Sequence, residues 1–181
     1  MLNIEVSSAE FPASIGELFH LRYLNLDINP VYSHGNFQWT INTIEMIPNL
    51  KKLRVTYTDM STGKWEKYGL NNLINLCQLE KLSISYITFN VASDPFPEGF
   101  AFPLKLKKLS LVGCRLPWQG LTVVGSLPYL EVLKLKSDSL VGRCWKSKQG
   151  EYPQLKYLLM QDLDIEYWQM EDTAFPTSSA P

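Results

Sequence analysis

Aliphatic residues recur along this chain in one fixed order, separated by polar or variable residues at the same places each time. The order is a leucine, two variable residues, a second leucine, one variable residue and a third aliphatic or methionine residue. Copies begin at Leu21, Leu50, Leu79, Leu106, Leu130 and Leu155. Successive copies start 29, 29, 27, 24 and 25 residues apart. The chain is therefore a periodic series of related segments.

The fourth and sixth positions of each copy predict a short β-strand. Side chains two residues apart on a strand point to the same face, so each copy should bury one aliphatic pair. The pairs are Leu24 with Leu26, Leu53 with Val55, Leu82 with Ile84, Leu109 with Leu111, Leu133 with Leu135, and Leu158 with Met160. We expect strands near residues 21–26, 50–55, 79–84, 106–111, 130–135 and 155–160. Because the connections are long, neighbouring strands should lie parallel, joined by coils that all wind the same way.

The connections carry apolar residues three and four positions apart, which is typical of single helical or 3₁₀ turns. These residues are Phe11, Ile15 and Leu18, then Ile44 and Ile47, then Leu70, Leu73 and Leu76, and finally Leu121, Val124 and Leu127. A proline precedes the first leucine of four copies by two or three residues, at Pro48, Pro103, Pro128 and Pro153. Proline lacks an N–H and favours an extended neighbour, so it should end the turn and start the strand.

The copy at Leu106 fits the leucine-rich-repeat template L-x-x-L-x-L-x-x-N/C-x-L at every defined position. The spacing of the copies lies within or close to the period of about 20–29 residues that such repeats use. We therefore predict an α/β fold, a leucine-rich-repeat solenoid or horseshoe. Its parallel sheet should line the concave face, with short helical turns or loops on the convex face. We expect a single domain over residues 1–181 with about six repeats.

The ninth position of the repeat follows the strand, where buried backbone groups need hydrogen-bond partners. Asn29 can supply a donor and an acceptor, Thr58 can do part of this, and Cys114 is a small buried substitute. The other copies depart from the template at Ile87, Asp138 and Leu163. We expect less regular turns at those three positions.

Three cysteines, an odd number, give no disulfide framework. We interpret Cys114 and Cys77 as small buried thiols. Cys144 should lie on a loop, where its thiol would be accessible.

Two connections, residues 30–43 and 88–103, are longer than the period requires and rich in turn-forming residues and aromatics. The second contains Phe89, Phe96, Phe100 and Phe102. We expect two of these to pack beneath the loop, while the others are candidates for surface recognition. The tryptophans, Trp39, Trp65, Trp118, Trp145 and Trp168, fall in descending loops and should fill gaps on the convex side.

The outward third, fifth and seventh positions of the strands are strongly basic. They include six cations, Lys52, Arg54, Lys81, Lys108, Lys134 and Lys136, and one acid, Asp27. With Tyr23 and Tyr157 in the first and last copies, these cations are our candidate partner-binding residues on the concave face. Such a strip would steer an acidic protein, or an acidic face of the same chain, toward it. The alternative is that lysine only keeps an exposed sheet soluble.

Composition excludes several other classes of protein. The net charge of −1 gives no overall basic character that would indicate a nucleic-acid partner. The first ten residues lack a signal-peptide pattern, no run approaches the ~20 apolar residues of a membrane span, and no N-x-S/T sequon occurs. These features favour the cytoplasm.

The sequence offers no recognisable catalytic or cofactor motif. It lacks the phosphate-binding, dinucleotide-binding, zinc-protease, paired-cysteine and nucleophile-elbow patterns. The two histidines have no evident catalytic partner: His20 should be a packing or turn residue, and His34 lies in a Ser-His-Gly turn. Residues 162–166 (DLDIE) lack the central glycine and the distal glutamate of a calcium loop. We therefore expect no enzymatic activity, no cofactor and no metal.

Longer phrases resemble one family. They are FPASIGELFHLRYL (11–24), LSLVGCRLPW (109–118), VGSLPYLEVLKL (124–135), GEYPQLKYL (150–158) and LDIEYW (163–168). They resemble repeats of plant intracellular nucleotide-binding leucine-rich-repeat immune receptors. The likeness is greatest to the coiled-coil branch of nightshade plants that includes late-blight resistance proteins. The resemblance covers most of the chain and is most specific from residue 104 onward.

The resemblance implies a recognition and autoinhibition module. In such receptors the repeats contact the nucleotide-binding core at rest and help to sense a pathogen effector or a guarded host protein. The coiled-coil and nucleotide-binding regions are absent, so we expect a fragment or truncated relative that neither binds ATP nor signals alone. Leu2, Ile4 and Val6 suggest an earlier strand. The tail from Phe175 offers no polar cap, and uncapped ends favour self-association.

Two other functions are compatible with the same repeats. One is the substrate-recognition module of a ubiquitin-ligase adaptor, and the other is a truncated scaffold fragment that self-associates.

Overall fold

The fold is built around one parallel β-sheet. The computed structural model describes residues 2–6, 20–28, 47–59, 70–88 and 100–169. The strands are β1 (Leu2–Val6), β2 (Tyr23–Ile28), β3 (Lys52–Asp59), β4 (Lys81–Thr88), β5 (Lys108–Val112), β6 (Leu116–Pro117), β7 (Val132–Lys136), β8 (Leu140–Val141), β9 (Cys144–Lys146), β10 (Tyr157–Gln161) and β11 (Tyr167–Gln169). Seven of them form one sheet in the order β1-β2-β3-β4-β5-β7-β10, all parallel. The predicted leucine-rich-repeat solenoid is confirmed.

The aliphatic pairs of successive coils stand in register. One row contains Leu24, Leu53, Leu82, Leu109, Leu133 and Leu158, and the other contains Leu26, Val55, Ile84, Leu111, Leu135 and Met160. The first five members of each row are almost fully buried, whereas Leu158 and Met160 are only partly buried. These two residues lie on β10, at one end of the strand order, so the described residues cover them from one side only. The predicted continuous core is confirmed.

The first leucine of five repeats closes a turn before the strand begins. The N–H of Leu50 donates to the carbonyl of Ile47 at 3.3 Å, and Leu79 donates to Leu76 at 2.9 Å. The same three-residue turn recurs at Leu106, Leu130 and Leu155. The strands therefore start two residues after this leucine, at the third position of the repeat.

The main chain joins successive coils at the second position of the repeat. The carbonyl of Arg22 accepts hydrogen bonds from the N–H groups of both Lys51 and Lys52, at 2.9 and 3.0 Å. The carbonyls of Lys51, Glu80, Lys107 and Glu131 each accept the equivalent pair from the next coil. Every described coil boundary from β2 to β10 thus carries one shared carbonyl acceptor.

Helical turns occur on the return side where the described residues reach it. A 3₁₀ helix spans Leu70–Asn75, another spans Trp118–Gly120, and α1 follows directly at Leu121–Gly125. The apolar residues Leu73, Leu76, Leu121, Val124 and Leu127 are buried beneath these turns, as is Ile47. The prediction of short helical turns is confirmed for these coils. Phe11, Ile15, Leu18 and Ile44 lie outside the described residues.

Two small parallel sheets and a row of tryptophans complete the later coils. β6 pairs with β8, and β9 pairs with β11. Trp118 stacks on Trp145 at 6.1 Å between ring centroids, and Trp145 stacks on Trp168 at 5.4 Å. The expected filling role is confirmed for the buried Trp118 and Trp145, whereas Trp168 is about half exposed (47%). The expectation of loops was wrong for these three residues, because Trp118 begins a 3₁₀ helix and Trp145 and Trp168 lie in β9 and β11.

The longer connection before β5 is described from Phe100 onward. Phe100 and Phe102 are buried and meet edge to face at 5.2 Å between ring centroids. Two of the four phenylalanines are thus buried, as predicted. Phe89, Phe96, Trp39, Trp65 and the connection 30–43 lie outside the described residues, as does His34. His20 lies in an exposed turn.

The three cysteines occupy different surroundings. Cys114 is fully buried, and its Sγ lies 3.4 Å from the carbonyl oxygen of Val112 and 3.6 Å from that of Ile84 on the neighbouring coil. Burial raises the pKa of this thiol to about 12. The prediction of a buried thiol was wrong for Cys77, because it follows the 3₁₀ helix in an exposed turn. Cys144 is exposed as expected, but it begins β9 rather than lying on a loop.

The ninth position does not mark a common turn. Thr58 and Ile87 lie within β3 and β4, so the chain continues straight where we expected it to bend inward. After β5, Gly113 and Arg115 have positive φ, and after β7 Ser137 and Asp138 do as well. Both turns therefore have a left-handed residue at the eighth position, but the second left-handed residue is at the tenth position after β5 and at the ninth after β7. Asn29 lies outside the described residues.

Candidate partner-binding groove

Three rows of side chains cross the outward face of the sheet, because the strands are in register. The third positions are Tyr23, Lys52, Lys81, Lys108, Val132 and Tyr157. The fifth positions are Asn25, Arg54, Ser83, Ser110, Lys134 and Leu159, and the seventh are Asp27, Thr56, Ser85, Val112, Lys136 and Gln161. The sheet therefore assembles residues that are far apart in sequence.

A groove of about 530 Å³ runs across this face. We call it the basic groove, and define it by the third- and fifth-position residues of β2, β3, β4, β5 and β7. Its charged lining residues are Lys52, Arg54, Lys81, Lys108 and Lys134. Tyr23 and Val132 lie at its two ends, and Ser83 and Ser110 occupy the fifth positions between Arg54 and Lys134. The groove thus has small hydroxyl-bearing residues in the middle and cations around them.

Three lysines stand side by side in the groove. Lys52 and Lys108 are the register partners of Lys81 on its two sides. Neighbouring strands lie about 4.8 Å apart, so like charges are held close together. The positive charge of Lys52 is the largest influence that lowers the pKa of Lys81, followed by partial burial and the charge of Lys108. An anion bound among the three lysines would relieve this repulsion.

Tyrosines flank the cations at both ends of the face. The Lys52 ammonium lies 4.2 Å from the ring centroid of Tyr23, and the Lys134 ammonium lies 5.8 Å from that of Tyr157. Both separations are within the range in which a cation is attracted to an aromatic face. Tyr23 and Tyr157 remain partly exposed, so their rings can also contact a partner.

The acidic residues of the neighbouring row pair with other lysines. Glu80 accepts from Lys51 at 3.1 Å and from Lys107 at 3.3 Å, and Glu131 accepts from Lys156 at 3.0 Å. A further ion pair joins Arg143 to Glu166. Within the described ranges, none of the four ion pairs includes a cation of the basic groove. The positive charge of the groove is therefore not neutralised by these acids.

Sequence reasoning missed this charged row at the second position. The row reads Arg22, Lys51, Glu80, Lys107, Glu131 and Lys156. Opposite signs alternate from Lys51 onward, and that alternation at a fixed repeat position was a signal that the spacing could have revealed. The paired lysines of this row lower the pKa values of Glu80 and Glu131, through hydrogen bonds first and charge second.

The structure brings most of the candidate residues together. Tyr23, Lys52, Arg54, Lys81, Lys108 and Lys134 line the basic groove. Lys136 lies on the same face in the seventh-position row, outside the groove lining, and Tyr157 lies beyond one end. For the part of the chain that the structure describes, no group of three His, Cys, Asp or Glu residues could hold a metal ion. In the same residues, no helix is long and apolar enough to cross a membrane.

Sequence comparisons relate the chain to plant proteins. No protein-family model matches it. It is 23% identical to the probable disease resistance RPP8-like protein 2 of Arabidopsis thaliana over 90% of this chain and 17% of that protein. It is 39% identical to the putative late blight resistance protein homolog R1B-13 of Solanum demissum over 47% of this chain and 8% of that protein. The probable disease resistance protein RF9 of Arabidopsis thaliana is 23% identical over 95% of this chain. The chain spans about a quarter or less of the length of these relatives.

Proposed function

We propose that this chain, a leucine-rich-repeat relative of plant disease-resistance proteins, binds a protein partner of an immune receptor through the basic groove. The relatives support the receptor context, because they are named for disease resistance and match 90% and 95% of this chain in two cases. The observation that carries the proposal is that the cations of the groove join none of the four ion pairs found among the described residues. An exposed patch of one sign attracts partners of the opposite sign and repels others.

The finer role that we propose is sensing and autoinhibition. The partner is a pathogen effector, a guarded host protein or the nucleotide-binding region of the same receptor. Each becomes a candidate if it presents an acidic surface. A receptor held at rest by contact between the groove and its own acidic surface would be released when another acidic protein displaces that contact.

We further propose that the module is not catalytic and works in the cytoplasm. The groove lining contains no His, Cys, Asp or Glu, so lysine and tyrosine are the only residue types there that enzymes use as general bases. These relatives are named for disease resistance, and we therefore favour a receptor module over a ubiquitin-ligase adaptor or a scaffold fragment.

A charge-reversal experiment tests the proposal. The test variant combines Lys52→Glu, Arg54→Glu, Lys108→Glu and Lys134→Glu, all within the groove. A matched control combines Lys105→Glu, Arg143→Glu, Lys146→Glu and Lys148→Glu, which changes the net charge equally at exposed positions outside the groove. Partners are captured from plant extract by the wild-type chain, identified, purified and titrated against all three proteins.

We expect the groove variant to lose binding, the control to keep it, and both to melt within a few degrees of the wild type. Binding that survives the reversal in the groove would contradict the proposal. Equal loss in both variants would also contradict it, because the attraction would then depend on net charge alone.

A further inference from the structure

The cations of the basic groove are arranged across the strands. Lys52, Lys81 and Lys108 occupy the same position of three adjacent strands, so the row they form is perpendicular to the strand direction. Along any one strand the groove offers fewer cations: β4 and β5 each place a serine at the fifth position behind the lysine at the third. A partner segment that lies across the strands therefore meets one lysine per coil, whereas a segment along a strand meets one or two cations in total.

The spacing of the lysines distinguishes between conformations of such a segment. Two inter-strand steps separate Lys52 from Lys108, a distance of about 10 Å. Successive turns of an α-helix are about 5.4 Å apart, so three carboxylates on one face span about 11 Å. Same-face residues of an extended chain are about 7 Å apart and span about 13–14 Å over three. The helix matches the lysine row to within about 1 Å, which flexible lysine side chains can absorb.

The shape of the groove agrees with a helix of moderate length. The face from Tyr23 to Val132 covers four inter-strand steps, about 19 Å, which corresponds to about 13 residues of α-helix. Ser83 and Ser110 are small, so the surface between Arg54 and Lys134 is recessed. Their hydroxyls can donate hydrogen bonds to carboxylates. Tyr23 and Val132 provide apolar contact at the two ends.

We propose that the basic groove receives an acidic α-helix of the partner, lying across the strands with one carboxylate per turn directed at Lys52, Lys81 and Lys108. This inference rests on the proposed function and specifies the chemistry of the partner. The residues that contribute most to binding at interfaces are enriched in tryptophan, tyrosine and arginine, and here Tyr23 and Arg54 border the lysine row.

Two synthetic peptides of about 17 residues test the inference, each held helical by a side-chain lactam because short helices are marginal in water. The first carries three glutamates at alternating spacings of four and three residues, so that they share one face. The second has the same composition, but its glutamates are five residues apart and therefore point to three different faces. Titration of the full chain with each peptide at low salt gives the two affinities.

We expect the one-face peptide to bind about tenfold more tightly than the second, since three exposed ion pairs at low salt add modest increments each. The triple variant Lys52→Ser, Lys81→Ser and Lys108→Ser should lose this preference, and Lys146→Ser, a change outside the groove, should keep it. Equal affinity of the two peptides, or no binding of either, would overturn the helix inference.

These outcomes are separable from failure of the proposed function. If the peptides fail while the groove charge reversal still removes the captured partner, the groove binds acidic surfaces of another shape. If the charge reversal leaves partner binding intact, the proposed function fails as well. Thermal unfolding of each variant confirms that the fold is retained, so a loss of peptide binding reports on the groove.

Discussion

The hydroxyl of Tyr152 donates a hydrogen bond to the main-chain carbonyl of Leu121, 3.0 Å away on the preceding coil. The Tyr152 ring is fully buried and meets Trp145 edge to face at 5.9 Å. Its own N–H donates to the carbonyl of Gly125 at 2.7 Å. Burial raises the pKa of this phenol, so it stays protonated and able to donate. One side chain thereby joins α1 to the last repeat.

Removing this hydroxyl tests its contribution. We expect Tyr152→Phe to lower the free energy of unfolding by about 1–2 kcal/mol, because the buried carbonyl loses a donor while the ring still packs. That change corresponds to a fall in melting temperature of about 2–8 °C. Tyr129→Phe is the matched control, since Tyr129 is exposed, and it should melt like the wild type. Equal melting temperatures of all three proteins would show that the hydrogen bond contributes little.

Two glycines with positive φ allow the stability costs of steric conflict and of backbone strain to be measured separately. Gly113 has φ of +65°, and a Cβ there would collide with the carbonyl oxygen of Tyr86 on the neighbouring coil. Gly150 has φ of +81°, but a Cβ there would meet open space. We expect Gly150→Ala to cost about 1 kcal/mol of stability from strain alone. Gly113→Ala should cost about 2–4 kcal/mol, because the backbone of the next coil must also shift. Denaturant titration measures both, and similar losses would disprove the collision.

The glutamates of the second-position row predict a particular loss of stability in acid. Hydrogen bonds from Lys51 and Lys107 lower the pKa of Glu80 below its ordinary value of 4.5, and Lys156 does the same for Glu131. A lowered pKa in the folded state stabilises the fold above the unfolded pKa, and this contribution is lost as the pH falls through the folded pKa. We expect stability to decline below about pH 4.5.

The variant Glu80→Gln tests this assignment. Its stability should depend less steeply on pH below about 4.5 than that of the wild type, because one linked proton is removed. Glu80 and Glu131 are both partly exposed. The difference in pH dependence between Glu80→Gln and the wild type should therefore shrink at about 1 M salt. Melting curves from neutral pH downward provide the measurement. A wild-type acid profile that Glu80→Gln leaves unchanged would contradict the assignment.

The cysteines should react at different rates with a thiol reagent. Cys77 and Cys144 are exposed, whereas Cys114 is fully buried with its pKa raised to about 12. We expect two thiols to be modified in the native protein and the third only after denaturant is added, since the thiolate is the reactive form. Cys77→Ser and Cys144→Ser should each remove one native equivalent, and Cys114→Ser should remove none. Reaction of Cys114 in the native protein would show that the neighbouring coil opens readily.

The repeated features could be predicted from the sequence because they obey one period. Alternating burial assigns Leu24 and Leu26 to one face of a strand, and a coil that winds the same way places Leu53 beside Leu24. The same periodicity places Lys52, Lys81 and Lys108 in one outward row from the sequence alone. The groove therefore follows from the register, and the register follows from the spacing.

Features that break the period could not be predicted in this way. Cys77 follows a buried leucine, but the exposed turn before β4 turns its side chain to solvent. The pairing of β9 with β11 depends on the lengths of two consecutive connections, which the repeat template leaves open. The lengths of β3 and β4 likewise depend on each other, since each extends along its neighbour past the ninth position.

The shared carbonyl at each coil boundary has a consequence for how such a protein can change over time. Arg22, Lys51 and Glu80 hold the next coil through main-chain atoms, so side-chain identity at the outward positions is largely uncoupled from folding. Under the proposed function, substitutions in the groove would alter which molecules are bound while the scaffold persists. The binding specificity of such proteins would then diversify by exchange of a few outward residues, one coil at a time.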